Sequence, residues 1–228
     1  MTNPVVQAPG SSLGMMQLVL HFNLRPEASL HPSWLPPDWP TRARPTLARL
    51  EPSAQSVLRD VLVRLDVLSD EPDYTFDSPL KRLLLLDPPS LRRLAFYVSL
   101  CAHAPLMRSR RDALSKALRR QARRVDGDAV EFVLERAPQL TELQMAAHVL
   151  KERPAGCGRL LVDRGYRLLT ATFAGEGDAA THRLARMLPR RAAALPVSEL
   201  APRKKDQIRE LMLACIVPER LAQWDWLF

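Results

Sequence analysis

The sequence predicts an all-α fold: an irregular multi-helix domain of about eight to ten short helices with a proline-rich N-terminal segment. Leucine dominates the apolar residues, whereas isoleucine occurs only at Ile208 and Ile216. Leucine, alanine and arginine favour helices, while β-branched residues favour strands. The chain has 20 prolines but only 8 glycines. Because proline stops helices and glycine serves the tight turns of hairpins, this ratio predicts many short helices.

The domain organisation follows from where the apolar pattern begins. Residues 1–14 show no periodic apolar pattern, so we predict a flexible tail there. Residues 15–228 are enough for a single helical domain, and two helical lobes that meet near residues 154–158 remain the alternative.

The N-terminal segment consists of a stretch in which apolar and polar residues alternate weakly, followed by a proline-rich stretch. Met16–Leu24 alternates weakly in hydrophobicity, so we expect an extended segment packed on the core. The stretch that follows, His31–Trp39, is interrupted by prolines. We expect Trp34, Leu35 and Trp39 to pin it onto helices rather than to bind a ligand.

The first clear helix follows Ser53, a candidate N-cap residue. Its apolar residues share one helical face and are Val57, Val61, Leu62, Leu65 and Leu68. The acidic stretch 70–77 comes next, and it lacks the spacing and the central glycine of an EF-hand calcium loop. We therefore expect a solvated loop there rather than a calcium site. Leu80–Leu86 then predicts a short apolar turn or helix, stopped by two prolines.

The middle of the chain predicts three consecutive helices of different character. Ser90 is the candidate cap of a core helix whose apolar face contains Leu91, Leu94, Ala95, Val98, Cys101 and Ala102. A basic helix, Arg108–Val125, follows. Asp126-Gly-Asp ends that helix, and a third helix is expected over 128–137.

The basic helix is the most informative part of the sequence. Its predicted apolar stripe consists of Leu114, Ala117, Leu118 and Val125. Its cations occupy the opposite face, at Lys116, Arg119, Arg120, Arg123 and Arg124, and Arg108, Arg110 and Arg111 precede them. Asp112 is the only acid in the segment, so the helix is suited to a negatively charged partner, although a merely solvated face is an equally good interpretation.

The C-terminal half predicts further short helices, namely 138–153, 158–173, 178–194, 203–216 and 218–225. The joints between them contain glycine, at 155–158 and 175–177. Three aromatic side chains close the chain: Trp224, Trp226 and Phe228. Such a cluster either docks on the core or forms an apolar contact patch for a partner.

Bulk properties restrict the compartment more than the function. Cys101, Cys157 and Cys215 are widely spaced and odd in number, which favours a reducing compartment. We find no signal peptide pattern and no apolar run long enough to span a membrane, so we predict a cytoplasmic protein. The net charge of +8 suits nucleic acid, an anionic membrane or an acidic protein equally well.

The sequence contains no pattern typical of an active site. The five histidines are scattered without zinc-ligand spacing, and no hydrolase elbow, phosphate loop or dinucleotide fingerprint occurs. Cys101 and His103 are two residues apart on a predicted helix, so their side chains diverge, and we interpret them as a buried thiol and a helix-end histidine. We therefore predict no enzymatic activity, no cofactor and no metal.

Three classes of partner remain for the basic helix. Nonspecific phosphate binding, as in a helical nucleic-acid-binding regulatory protein, is possible, but residues 105–125 contain no aromatic for base stacking and no persuasive helix-turn-helix pattern. Membrane-surface binding is the least favoured, because the apolar face opposes the basic one and is needed for the core. The third class is an acidic protein surface.

Two blocks resemble the SctK family (YscK- and PscK-like), accessory proteins of the bacterial type III secretion injectisome. They are Phe22–Pro36, similar to the family's N-terminal pattern although Pro26 and Ser29 depart from it, and Leu94–Leu140, which contains the basic helix. Together they cover just over a quarter of the chain. Neither block is catalytic.

The resemblance implies a non-enzymatic helical adaptor of the sorting platform, required for effector secretion. Its implied partners are the pod protein (SctQ type) and the cytoplasmic domain of the inner-membrane ring protein (SctD type). It implies a location in the bacterial cytoplasm, at the inner membrane and attached to it only through the ring, with no nucleic acid as partner. The residues we expect to bind partners are Arg108, Arg111, Lys116, Arg119, Arg120, Arg123, Arg124, Trp224, Trp226 and Phe228.

Overall fold

All regular structure that the computed structural model shows in the described residues is helical, which confirms the predicted all-α class. The structure describes residues 12–36, 39, 52–68, 71–108, 111–141, 143, 148–152, 156–193 and 200–228, and no strand occurs among them. These residues form 14 α-helices, more than predicted because several are single turns. No helix in the described ranges is long and apolar enough to cross a bilayer.

The helices are numbered in chain order. They are α1 (Ser12–Leu24), α2 (Pro26–Ser29), α3 (Pro52–Arg64), α4 (Pro79–Arg82), α5 (Pro88–Ala102), α6 (Ala104–Met107), α7 (Ala113–Val125), α8 (Ala129–Glu131), α9 (His148–Glu152), α10 (Cys157–Phe173), α11 (Asp178–Met187), α12 (Arg190–Ala193), α13 (Pro202–Glu210) and α14 (Val217–Arg220). The π-helix Phe132–Arg136 continues α8, and the π-helix Leu211–Ile216 joins α13 to α14. Short 3-10 turns occur at Pro32–Trp34, Leu83–Leu85 and Ala222–Leu227.

The described residues divide into two compact units. Unit 1 contains those of 1–88, 173–195 and 226–228, and unit 2 contains those of 89–172 and 196–225. Of the predicted tail, residues 12–14 belong to helix α1, and residues 1–11 lie outside the described part of the chain.

The expected extended segment Met16–Leu24 is a helix, so that prediction is wrong. In α1 the buried residues include Val19 and Phe22, whereas Leu20 and Leu24 are exposed. A short apolar run satisfies the periods of a strand and of a helix alike, which explains the error. The Phe22 ring packs edge-on against Phe76 with centroids 5.4 Å apart.

Buried polar groups tie α1 to the rest of unit 1. The Asn23 side-chain amide donates to the Asp73 carbonyl oxygen at 2.7 Å and accepts from the Asp73 amide at 2.7 Å. Arg183 of α11 is buried, donates to the Phe22 carbonyl oxygen at 2.6 Å and lies 4.3 Å from the Phe22 ring centroid. These bonds satisfy backbone groups of the non-helical segment 71–77 and of the C-terminal turn of α1.

The predicted role of the tryptophans in the N-terminal segment is confirmed. Trp34 donates its indole N–H to the Leu188 carbonyl oxygen at 2.9 Å, and the Arg186 guanidinium lies 4.0 Å from its ring centroid. Leu35 and Trp39 pack against a cluster around α3. The segment is therefore pinned onto helices.

Helix α3 differs from its prediction at the cap and on the buried face. It begins at Pro52, so Ser53 lies inside it rather than capping it. Its buried cluster contains Leu58, Leu62 and Leu68, whereas Val57 and Leu65 are exposed.

Helix α5 forms the core of unit 2. All six residues of its predicted apolar face are buried, and Phe96, Tyr97, Ser99 and Leu100 are buried as well. Ser90 is not its cap, because the helix begins at Pro88; instead Ser90 is buried and its hydroxyl accepts a hydrogen bond from the Trp224 indole at 2.9 Å. A helix that is buried on nearly every side organises the helices around it.

Helix α10 crosses α5 at Gly165, where the two backbones nearly touch. A Cβ atom placed on Gly165 would lie 1.8 Å from the Ala95 carbonyl oxygen. Only glycine permits this approach without separating the two helices.

Several predicted boundaries further along the chain need correction. Residues 138–141 are not helical, and the helix expected over 138–153 is seen only as α9. The helix expected over 178–194 is two helices separated at Leu188 and Pro189. The predicted glycine joint at 175–177 is present, and both glycines there have positive φ values of 119° and 99°, which favour glycine.

We predict that Gly165→Ala lowers the free energy of unfolding by about 3 kcal/mol, because the added methyl group meets backbone that cannot move aside. Urea unfolding followed by circular dichroism measures this. Gly127→Ala is the matched control, since a Cβ there meets no atom within 4 Å. Equal stability of the two variants would show that the helices do not approach so closely.

A second prediction concerns His103, which is buried and accepts a hydrogen bond from Arg164 at 2.9 Å. Burial and the Arg164 charge lower the pKa of His103 from 6.5 to about 4. Between these values the unfolded chain binds a proton that the folded chain excludes, so the stability contributed by neutral His103 is full above pH 6.5 and is lost as pH falls.

His103→Gln, which keeps an acceptor for Arg164, removes this titration. Between pH 7 and pH 5, we expect the free energy of unfolding to fall by about 2 kcal/mol more in the wild type than in the variant. Urea unfolding at both pH values checks this. His21 and His182 remain in both proteins, so their contributions to the pH dependence cancel in the comparison. An equal change of the free energy of unfolding between the two pH values in both proteins would contradict the prediction.

Candidate partner-binding surface

The basic helix is α7, which is shorter than the sequence predicts. It begins at Ala113, because the Asp112 carboxylate caps it by accepting from the Ser115 amide at 3.3 Å. It ends at Val125, where Asp126 turns to extended backbone. Arg108 and Arg111 precede the helix and are exposed. Arg110 lies outside the described residues.

The buried face of α7 matches the prediction only in part. Leu114 and Leu118 are buried as expected, and Ser115 and Ala122 are buried with them. Val125 was expected on the same face, but its side chain is 41% exposed. This exposed apolar residue therefore lies at the C-terminal end of the basic helix.

The predicted basic face is assembled as expected. Five cations at helical spacing line a shallow surface groove of about 450 Å³, and we call them the basic stripe: Lys116, Arg119, Arg120, Arg123 and Arg124. Four of them are exposed, whereas Arg119 is half-buried.

The five cations are not equivalent. Arg119 donates from Nε to the Met107 carbonyl oxygen at 2.8 Å and also from Nη2 to the same oxygen. Arg119 therefore satisfies the C-terminal turn of α6 and serves the fold. Arg123 lies 3.9 Å from Glu131, a loose and exposed pair of little energetic weight.

The remaining three cations lack a neutralising partner within the described chain. No described acid lies within 4 Å of Lys116, Arg120 or Arg124. Like charges spaced i,i+4 destabilise a helix by about 0.2–0.5 kcal/mol a pair. An anionic partner would relieve that repulsion, so this part of the stripe is the stronger binding candidate.

The C-terminal aromatics, expected among the partner-binding residues, are partly packed against the protein itself. Trp224, Trp226 and Phe228 are each half-buried, and the Trp224 indole is bonded to Ser90. The Leu227 side chain is buried and its carbonyl oxygen accepts from Arg82 at 3.1 Å. Trp226 and Phe228 belong to unit 1, whereas the basic stripe belongs to unit 2.

Sequence reasoning missed the network that holds the end of the basic helix. Asp126 accepts from Arg93 at 2.6 Å and also from the Tyr97 hydroxyl. Burial and this hydrogen bond raise the pKa of Tyr97. Both partners come from α5, so the C-terminal end of α7 is fixed against the core helix.

Asp128 ties the same turn to more distant parts of unit 2. It accepts two hydrogen bonds from Arg220, at 2.8 and 3.0 Å, and a third from Arg136 at 2.8 Å. These hydrogen bonds lower the pKa of the Asp128 carboxyl. The Arg220 side chain is only 8% exposed and lies 4.3 Å from the Phe132 ring centroid. The only signal in the sequence was the Asp-Gly-Asp run, since Arg220 is 92 residues away.

Among the described residues, the other candidate sites do not bring reactive or metal-binding side chains together. No group of three or more His, Cys, Asp and Glu side chains there could hold a metal ion. In the acidic stretch, Asp70 lies outside the described residues and Asp73 is paired with Lys81 at 2.8 Å. Cys101 and His103 are both buried, and burial raises the pKa of the Cys101 thiol.

Comparisons with protein-family models, with curated proteins and with solved structures find no match to this chain.

We predict that Arg220→Ala lowers the free energy of unfolding by about 2 kcal/mol, because it removes a buried stem, a ring contact and the hydrogen bonds to Asp128. Urea unfolding at neutral pH measures this. The matched control is Arg209→Ala, since Arg209 is exposed and pairs with Asp206 at 3.2 Å. We expect the control to lose less than about 0.5 kcal/mol, and a comparable loss in both variants would contradict the structural role of Arg220.

Proposed function

We propose that this chain is a non-enzymatic adaptor that recognises an acidic protein surface through its basic stripe. The observation that carries the proposal is the set of exposed cations Lys116, Arg120 and Arg124, which no described acid neutralises. They lie on one helix whose two ends are held by Asp112 and by the network at Asp126. A rigid row of charges steers and orients a partner, while apolar contacts supply most of the affinity.

The adaptor we propose belongs to a bacterial type III secretion injectisome. It links the cytoplasmic domain of the inner-membrane ring protein (SctD type) to the pod protein (SctQ type) and is thereby required for effector secretion. The support is the resemblance of Phe22–Pro36 and Leu94–Leu140 to the SctK family. The second block contains the basic stripe. The adaptor acts in the cytoplasm at the inner membrane, which it reaches only through the ring.

A helical nucleic-acid-binding regulator is the competing function. It uses the same cations, but the stripe offers no aromatic side chain on which a base could stack. It also predicts an affinity for random DNA that falls steeply with salt.

Charge reversal of the stripe tests the proposal. We expect the triple variant Lys116→Glu, Arg120→Glu, Arg124→Glu to associate at least about tenfold more slowly with the ring domain or the pod protein and to lose the salt dependence of association. Arg119 is left intact because it holds α6. Biolayer interferometry with the two purified partners, at low and at physiological ionic strength, measures both effects.

The matched control is the triple variant Arg64→Glu, Arg167→Glu, Arg203→Glu, which makes the same change in net charge at exposed, scattered sites. It should associate nearly as fast as wild type. Unchanged binding of both partners by the stripe variant would refute the proposal. A gel shift of random duplex DNA by wild type, lost in the stripe variant and without binding to either protein, would favour the nucleic-acid function instead.

A further inference from the structure

A cleft of about 500 Å³ lies within unit 2, between α5, α7 and the first turn of α10. Its apolar lining comes from Pro89, Phe96, Val125 and Val162. Two arginines at its edge, Arg92 and Arg159, are exposed. A cavity of this size with apolar walls and a few polar groups is suited to holding one or two side chains of a partner.

Glycine keeps the cleft open where α10 begins. A Cβ atom on Gly156 would meet no other atom within 4 Å, so no side chain fills that space. At Gly158 a Cβ would lie 2.7 Å from the Gln121 amide oxygen. The missing side chain therefore lets Gln121 of α7 lie directly over the start of α10.

The cleft is continuous with the basic stripe. Gln121 and Val125 line the cleft, and each directly follows a stripe residue, Arg120 or Arg124, along α7. Adjacent helix positions differ by about 100° in direction, so the two rows lie side by side. Burial raises the pKa of Cys157, the first residue of α10, and the charges of Arg120 and Arg124 act in the opposite direction. These two arginines therefore lie close to the start of α10.

The cations around the cleft are available to a ligand. Arg92 has no acid within 4 Å among the described residues, and Arg159 lies 3.9 Å from Asp163 with its side chain mostly exposed. Arg93 is already paired with Asp126. An apolar hollow is thus flanked by positive charge on the α5, α7 and α10 sides.

We propose that this cleft anchors the acidic partner: a large apolar side chain of a partner segment enters it, while carboxylates beside that side chain meet Arg92, Arg159 and the stripe. The inference rests on the proposed function and deepens it, because it assigns recognition to an acidic segment with an apolar anchor. The cleft supplies the slow dissociation that exposed ion pairs alone do not provide.

The lining favours a protein segment over a nucleic acid. Phe96 is the aromatic residue of the cleft, and it is only 4% exposed, so its ring cannot serve as a stacking platform for a base. The exposed apolar surface instead comes from Val125 and Pro89, aliphatic side chains that suit an aliphatic or aromatic anchor.

Val125→Ser tests the anchor without disturbing the core, because Val125 is the last residue of α7 and partly exposed. The probes are the purified ring domain and the purified pod protein on biolayer interferometry. We expect dissociation of one partner to become about tenfold faster, with the association rate and its salt dependence unchanged. The matched control is Val57→Ser, since Val57 is 63% exposed on α3. It should behave like wild type, and both variants should keep the wild-type midpoint of unfolding.

The outcomes separate this inference from the function on which it rests. If Val125→Ser dissociates like wild type while the stripe variant loses association, the cleft is not the anchor and the adaptor function stands. If Val125→Ser and the stripe variant both bind like wild type, the cleft proposal and the adaptor function are both overturned. The same holds if wild type binds neither the ring domain nor the pod protein. Faster dissociation in Val57→Ser as well would also overturn the assignment to the cleft.

Discussion

The turn Asp126-Gly-Asp128 is the constraint on which the arrangement of unit 2 depends. Its two carboxylates accept hydrogen bonds from Arg93 and Tyr97 of the core helix, and from Arg136 and Arg220. The turn ends the basic helix and begins α8, so these bonds fix the direction of both. Charge-assisted bonds to a carboxylate are about twice as strong as neutral ones, which suits a junction of four helical segments.

Some arginines of this protein stabilise the fold, whereas others remain exposed and can bind a partner. Arg119 and Arg183 bond backbone carbonyl oxygens, and Arg183, Arg186 and Arg220 lie over aromatic rings. A planar guanidinium can stack flat on a ring and still direct several of its five N–H donors at carbonyl oxygens, a geometry that the compact lysine ammonium does not offer. The net charge of +8 therefore overstates the charge available to a partner. The positions without a structural bond indicate where a partner can bind.

Helical periodicity was sufficient to predict a large part of the fold and one face of the candidate site. The core face of α5 and the cation spacing of α7 follow from residues three and four apart, which are neighbours on any helix. The candidate caps Ser53 and Ser90 were wrong, because Pro52 and Pro88 begin the helices earlier, at a position that proline favours. The short apolar run of α1 was misread because its period is ambiguous.

The sequence by itself determined the helical class and the division of α7 into an apolar face and a basic face. These features arise from the spacing of residues within one helix. Only the tertiary structure decided that Arg119 is committed to Met107, that Val125 is exposed, and that Gly156, Gly158 and Val162 come together beside the stripe. Those facts depend on contacts between different helices rather than on spacing within one helix. No local pattern specifies which distant backbone or side chain a given arginine will meet.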